Sequence, residues 1–474
     1  MKLPTHAFRE YDIRGVAERD LTDETARGIG RGFATVIGSG LAPGGAGGQP
    51  TLRVAVGRDC RVSSDRLFAA LTGGLTEAGA DVVDVGVGPT PMLYAAAHDL
   101  GTEGAMMITG SHNPGDENGF KMMRGKASFF GADIQGLRSL VEHERFTQPA
   151  RKGTVERVDT HERYVEMVTG KIRLERSDVK VVVDAGNGSG GPLGLACMRK
   201  LGLSPDPLFC EMDGRFPNHH PDPTVPANLE ALIARVRATK ARVGIAYDGD
   251  ADRLGAVDAN GDIVWGDRLM ILFSRTLLAE HPGAAIIGEV KCSQTLYDDI
   301  AKHGGRPILW KTGHSLIKTK MKEEGALLAG EMSGHLFFAD RYFGYDDAIY
   351  ASLRLIEILA RDPRSLSEML GDVPRTYATP EIRVDCPDAI KFDVVGAVRN
   401  HYRATGNPVI DIDGARISFG TERDPAWGLV RASNTGPTLV MRFEATSAAR
   451  RDAIRTEVER VVTDARTRLG ASTI

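Results

Sequence analysis

The sequence predicts a multidomain α/β protein that ends in a smaller α+β domain, and three observations carry that reading. The chain of 474 residues is longer than one hydrophobic core serves, and domain sizes suggest about three or four units. Short β-branched runs alternate with segments of helical period through most of its length, the rhythm of mostly parallel sheets covered by helices. From about residue 372 the strands crowd together, as in an antiparallel sheet.

Each element has its own signal. TLRVAVGRD (51–59) reads as a strand, SSDRLFAALTGGLTEAG (63–79) as a helix and ADVVDVGV (80–87) as the next strand. The rhythm returns at VKVVVDAGNG (179–188), ARVGIAYDGD (241–250) and AAIIGEVKCS (284–293). In the tail, EIRVD, ARISFG, GLVRAS and TLVMRFEA are strands. A final helix repeats Ile454, Val458, Val461, Ala465 and Leu469 at helical spacing, with Gly470 as its stop. GSGLAPGGAGGQP (38–50) reads as a surface loop, since it lacks the Lys-Ser/Thr ending of a P-loop.

Composition narrows the class. Hydrophobic residues are 42%, charged residues 26% and the net charge −4, as in a globular protein with no broad cationic field for nucleic acid or an anionic membrane. The opening MKLPTHAFREYDIRG has no apolar signal core, and no run approaches a membrane span. Five cysteines, odd in number and never in a CxxC pair, argue against a disulfide framework or zinc site. The expectation is a reduced, cytoplasmic protein.

Chemistry-bearing residues cluster in loops, and in sequential α/β units loops at strand carboxyl ends are where ligands bind. DGDADR offers Asp248, Asp250 and Asp252 in alternation. In an extended segment the three carboxylates would share one side, and anions that close call for a cation. Oxygen-only ligands select a hard ion, Mg²⁺ above all. An EF-hand fails on register, because counting from Asp248 puts Arg253 and Ala259 where glycine and glutamate belong. DAGNGSGG matches a dinucleotide fingerprint, but a lone match is weak and a tight strand-to-helix turn explains it equally.

Three further loops are ambiguous alone. In TGSHNP, Ser111 sits between glycine and histidine before a proline, a composition that also describes an ordinary turn. GEMSGH presents Glu331, Ser333 and His335, suited to sugar hydroxyls or to a capped turn. RASNTGP gathers Arg431, Ser433, Asn434 and Thr435, suited to a phosphate or to a polar hairpin.

In combination the four loops resolve the ambiguity. TGSHNP, DGDADR, GEMSGH and RASNTGP in this order, with FREYDIRG near the N-terminus, resemble the α-D-phosphohexomutases, most closely the bacterial phosphomannomutase/phosphoglucomutase branch. The resemblance spans essentially the whole chain. It implies a heart-shaped arrangement of three related α/β domains with mixed sheets (1–152, 153–256 and 257–371) and a C-terminal domain of the TATA-binding-protein-like class (372–474). It implies Ser111 as phosphoryl carrier and metal contact, with Asp248, Asp250 and Asp252 as Mg²⁺ ligands. Glu331 and Ser333 are implied as sugar contacts, and Arg431, Ser433, Asn434 and Thr435 as a distal phosphate site. Tyr11, Arg14, Lys121, Arg253, Lys291, His314 and His335 match active-site polar positions. Two departures stand out: Ala251 where many members have glycine, and longer stretches at 38–50 and around TERDPAWG.

The implied activity interconverts hexose 1-phosphates and hexose 6-phosphates of mannose or glucose, with hexose 1,6-bisphosphate as intermediate and activator. The partners implied are hexose phosphates alone, on a monomer or weak dimer. A glucosamine-phosphate mutase is the nearest alternative, disfavoured by Met332 where that branch tends to have glutamine. A phosphohydrolase or a non-catalytic sugar-phosphate-binding protein is more remote. Arg14 and Lys121 are expected to clamp the transferring group, with Lys121 also a candidate to assist proton movement, and the sequence leaves the general base open. His112, adjacent to Ser111, is expected to turn its side chain away from the serine oxygen, as a supporting residue.

Overall fold

A computed structural model describes residues 1–40, 52–421 and 424–470. Most of the Gly-rich stretch at 38–50 and two positions of TERDPAWG lie outside the described residues. The elements pair into four sheets. In the first, Arg53–Arg58 lies between Asp81–Val87 and Gly104–Ile108, parallel to both, and Glu117–Arg124 runs antiparallel beside Gly104–Ile108. In the second, Val243–Tyr247 is parallel to Val181–Asp184 and antiparallel to Leu254–Asp258. In the third, Leu328–Gly330 is parallel to Ala285–Glu289 and antiparallel to Leu336–Phe338. The fourth is antiparallel, centred on Ala426–Ala432 and Thr438–Ala445.

The sheets are thus mixed, not mostly parallel, and four of the antiparallel pairs follow one rule. Every motif loop is the hairpin between a strand and its antiparallel partner: 109–116, 248–253, 331–335 and 433–437. A short hairpin can only return antiparallel, so a functional loop at the carboxyl end of a strand brings its own antiparallel neighbour. Pairing bears on two of the expected divisions: Val155–Arg157, just past 152, adds to the first sheet through Asp81–Val87, and 256 falls within Leu254–Asp258, to which Ile263–Val264 pairs.

Packing divides the molecule differently from the sheets. Helices Thr90–Leu100, Gly191–Lys200, Gly266–Glu280 and Ala348–Arg361 feed one continuous apolar core that joins the first three domains. The fourth domain has its own core, in which Val394, Val398 and Tyr402 meet Ile454, Val458 and Val461 of the last helix. Leu469 departs from the expected stripe: it is 39% exposed, because it caps the helix that ends at Arg468. The fourth domain meets the third through buried arginines. Arg416 donates to the carbonyls of Val290 and Cys292 and stacks on Trp427, and Arg442 contacts Asp267.

Candidate active site

The four hairpins open on one cavity of about 1010 Å³. It is lined by Tyr11, Arg14, Ser111, His112, Lys121, Arg253, Lys291, His314, Glu331, Ser333, His335, Arg431, Ser433, Asn434 and Thr435, so every expected non-metal position is brought together. The three aspartates lie behind Ser111 and are fully buried.

Ser111 is held in the left-handed region, at φ 51°, a conformation that costs a non-glycine residue roughly 1–2 kcal/mol and persists where surroundings enforce it. Its hydroxyl donates to Asp248 Oδ2 at 2.8 Å. The same turn carries His112 round, so that Nδ1 lies 3.1 Å from Ser111 Oγ. The expectation that this ring turns away is therefore wrong, because alternation of adjacent side chains belongs to extended backbone and this residue is not extended. Burial, followed by the cations Arg253 and Arg14, holds the His112 imidazole well below its ordinary value. It is a neutral ring beside the serine oxygen.

DGDADR also converges by a turn and not by strand alternation. Asp248 Oδ1 accepts from the backbone amides of Asp252 and Arg253, and Ala251 takes φ 54°. That left-handed position accounts for a preference for glycine there, and the alanine methyl is fully buried beside Gly190. Gly249 is required for another reason: a Cβ there would stand 2.2 Å from the Ser111 carbonyl oxygen. The two loops are in direct contact.

Ligand oxygens of Asp248, Asp250 and Asp252 lie within 4.8 Å of one another. Lys121 Nζ donates to Asp250 Oδ2 at 2.7 Å and to Asp252 Oδ2 at 2.5 Å, and Thr90 also donates to Asp250. Asp250 Oδ1 and Asp252 Oδ1 remain buried without a hydrogen-bond partner among the described residues. One ammonium thus faces three carboxylates. Burial, then Asp252 and Asp250, drives the Asp248 carboxyl well above the usual range. Burial opposes the charge on Lys121, but Asp250 and Asp252 overcome it and hold the ammonium well above its ordinary value. Two orphaned oxygens beside a serine hydroxyl in an oxygen-only donor set fit a hard divalent cation.

Around this centre, Arg14 donates to Asp12 at 2.8 Å and to Asn113 at 2.9 Å. Arg253 Nε donates to His335 Nε2 at 3.0 Å, while His335 Nδ1 lies 3.0 Å from Asp346 Oδ2. His314 stacks on His335, and neither of its nitrogens has a partner among the described residues. Burial, then Lys318, holds His314 well below its ordinary value. Glu331 accepts from the Gly313 amide and from Ser333 Oγ, so these two side chains form one hydrogen-bonded unit. Lys291 pairs with Glu381 at 3.0 Å.

The last loop is flanked by cations. Arg431, on the strand and not in the loop, donates through Nε to Asp413 at 3.0 Å, which leaves the rest of its fork free for an anion. Lys391 donates to the carbonyls of Ser433 and Gly436 and so shapes the turn. Sequence reasoning missed Asp413, Asp346, Lys391 and Thr90, whose partners are distant in sequence and which no local pattern marks; Asn113 stands within TGSHNP, but its bond to Arg14 has no signal there.

Fold and site define a class: an enzyme that places a serine–aspartate centre and a cationic anion site on separate domains around one cleft. Comparison with known proteins specifies the class further. Four family models match in order: "Phosphoglucomutase/phosphomannomutase, alpha/beta/alpha domain I" over 5–148, domain II over 162–261, domain III over 265–377 and the C-terminal domain over 381–461. A phosphomannomutase/phosphoglucomutase of Pseudomonas putida is 45% identical, over 97% of this chain and 96% of its own. A phosphoglucomutase of Neisseria gonorrhoeae is 43% identical, over 96% of each chain. The crystal structure of a phosphoglucomutase/phosphomannomutase family protein from Burkholderia thailandensis superposes with TM-score 0.88 at 42% identity, over 98% of each chain. The chain belongs to the phosphoglucomutase/phosphomannomutase family.

Proposed function

We infer that this protein is a hexose-phosphate mutase that interconverts the 1- and 6-phosphates of mannose and glucose. The observation that carries the reading is Ser111, bonded to Asp248 and facing the same cavity as Arg431 of another domain. Phospho-Ser111 donates its phosphoryl group to the free hydroxyl of a bound hexose monophosphate, giving a 1,6-bisphosphate. That intermediate reorients in the cleft, and the opposite phosphate returns to Ser111.

Each residue has a part in this cycle. Asp248, Asp250 and Asp252 would hold Mg²⁺, together with an oxygen at Ser111, and the ion would neutralise charge on the phosphoryl oxygens. Lys121, between Asp250 and Asp252, brings positive charge to the transferring group. Arg14 and Arg253 add positive charge at the transferring group, where phosphoryl transfer gains most from electrostatics. His112, its Nδ1 3.1 Å from Oγ, is placed to take the Ser111 proton once that hydroxyl turns from Asp248 as the serine becomes the acceptor. Tyr11, His314, His335, Glu331 and Ser333 contact the sugar. Lys291 and the Arg431, Ser433, Asn434 and Thr435 group hold the phosphate that is not reacting.

All four loops come from one chain, so a monomer or weak dimer carries complete sites. Five free cysteines accord with a cytoplasmic setting. A coupled assay with mannose 1-phosphate, glucose 1-phosphate and glucosamine 1-phosphate tests the reading. The expected result is isomer formation from the first two, activated by hexose 1,6-bisphosphate and abolished in Ser111→Ala. Release of free phosphate without isomer would show a phosphohydrolase instead.

A further inference from the structure

We propose that Arg61, which does not itself line the cleft, is a positioning residue for phosphoryl transfer, setting the serine loop by gathering its carbonyl groups on the side away from the substrate. The inference rests on Ser111 as the phosphoryl carrier. Arg61 is absent from the cavity lining, and its side chain is 0% exposed. Its guanidinium donates to four carbonyl oxygens, three in the serine loop and one at the first residue of the strand that follows it. Nη2 reaches Ser111 at 2.8 Å and Asn113 at 2.7 Å, and Nη1 reaches Pro114 at 2.5 Å and Glu117 at 2.9 Å.

A loop bent through a left-handed serine has carbonyls that no helix or sheet ladder can satisfy, and buried carbonyls need partners. Only a planar fork with five donors meets four of them at once, whereas a lysine ammonium has three donors at one point. The arrangement also has an electrostatic consequence. A carbonyl dipole turned toward phosphoserine would set its negative end against a dianion. Turned onto Arg61, these four dipoles are neutralised, and the reacting face is left to Lys121, Arg14 and Arg253.

The fork is itself fixed. Arg61 Nε lies 3.2 Å from Asp59 Oδ2, while Asp59 Oδ1 accepts from the Arg61 amide at 3.0 Å and from Ser64 Oγ at 2.6 Å. The Phe216 ring covers it, 5.1 Å from Cζ. The glycine of TGSHNP finds its reason here. A Cβ on Gly110 would stand 2.7 Å from Arg61 Cζ, so only glycine lets the guanidinium pass beneath the loop.

The test measures kcat, KM, Mg²⁺ affinity and melting temperature for Arg61→Lys and Arg61→Ala, with hexose 1-phosphate as substrate and the full-length wild type alongside. A serine displaced by about 1 Å loses about 10²-fold in rate. Arg61→Lys is therefore expected to lose kcat on that scale, with KM and Mg²⁺ affinity near wild type. Millimolar guanidinium ion is expected to restore part of the kcat of Arg61→Ala and none to Ser111→Ala. Wild-type kcat in Arg61→Lys overturns the proposal, as does a loss confined to KM. Should neither variant fold, Asp59→Asn keeps the fork and frees it from its anion. A lower kcat at unchanged KM supports the proposal there, and an unchanged kcat overturns it. A wild type that forms no isomer removes the mutase reading itself, and the positioning role with it.

Discussion

The Asn434 side-chain amide donates to the Tyr11 hydroxyl at 2.7 Å, and that hydroxyl in turn donates to the Thr312 carbonyl at 2.9 Å. One tyrosine thus ties the first, third and fourth domains together at the rim of the cleft. The fourth domain has a core of its own, so this link works beside the small apolar cluster of Val290, Trp427 and Leu429 in joining it to the other three.

Cutting this link should loosen the closed arrangement without unfolding any domain. Tyr11→Phe removes two hydrogen bonds, each contributing about 0.5–1.5 kcal/mol. KM for hexose phosphate is expected to rise by about tenfold, with the melting temperature of the first three domains unchanged. Steady-state kinetics and calorimetry check it. An unchanged KM would mean that the link bears no load.

Asp250→Asn removes one charge from the triad and replaces an acceptor of the Lys121 and Thr90 hydrogen bonds. Titration calorimetry with Mg²⁺ should show affinity lowered at least about tenfold, since ligand charge sets the binding of a hard cation. Chelating the wild type should abolish turnover and leave the fold intact. Full activity of Asp250→Asn at limiting Mg²⁺ would remove the metal reading.

Arg431→Ala removes a charge-assisted contact to the non-reacting phosphate, worth about 1.5–3 kcal/mol, or about 10- to 150-fold in binding. The same site serves both halves of the cycle, so the loss should appear in both directions and for mannose and glucose substrates alike. Glu331→Ala should instead change sugar preference. A defect of Arg431→Ala confined to one direction would separate the two phosphate positions.

Asp347 gives the stability a pH dependence. It caps the helix Ala348–Arg361 through the Tyr350 amide and accepts from Tyr164 and Tyr342. Burial outweighs these donors and raises its carboxyl from 3.8 to about 6. The folded chain therefore holds this proton more tightly than the unfolded chain. The contribution is full below the unfolded value and is lost as pH rises through about 6, roughly 3 kcal/mol in all. Asp347→Asn should flatten the stability profile between about pH 4 and 6, read by urea unfolding at each pH. An unchanged slope in the variant would assign it to other groups.

The sequence by itself determined the α/β rhythm, the antiparallel tail and the four chemical loops, because each is written in contiguous residues. Period decides a strand or helix, and Asp248, Asp250 and Asp252 carry their shared charge wherever the chain goes. Tertiary structure decided everything that depends on approach between distant segments. Mixed pairing followed from hairpin geometry, and the turn at Ser111, not alternation, aimed His112 at the serine oxygen. Arg61 gave no signal in its own neighbourhood, because its four acceptors lie some fifty residues downstream and long-range hydrogen bonds leave no periodicity. Lys121 has no local signal of its own, since resemblance alone marks it, and only folding buries it between Asp250 and Asp252, where opposed charges favour its ammonium form.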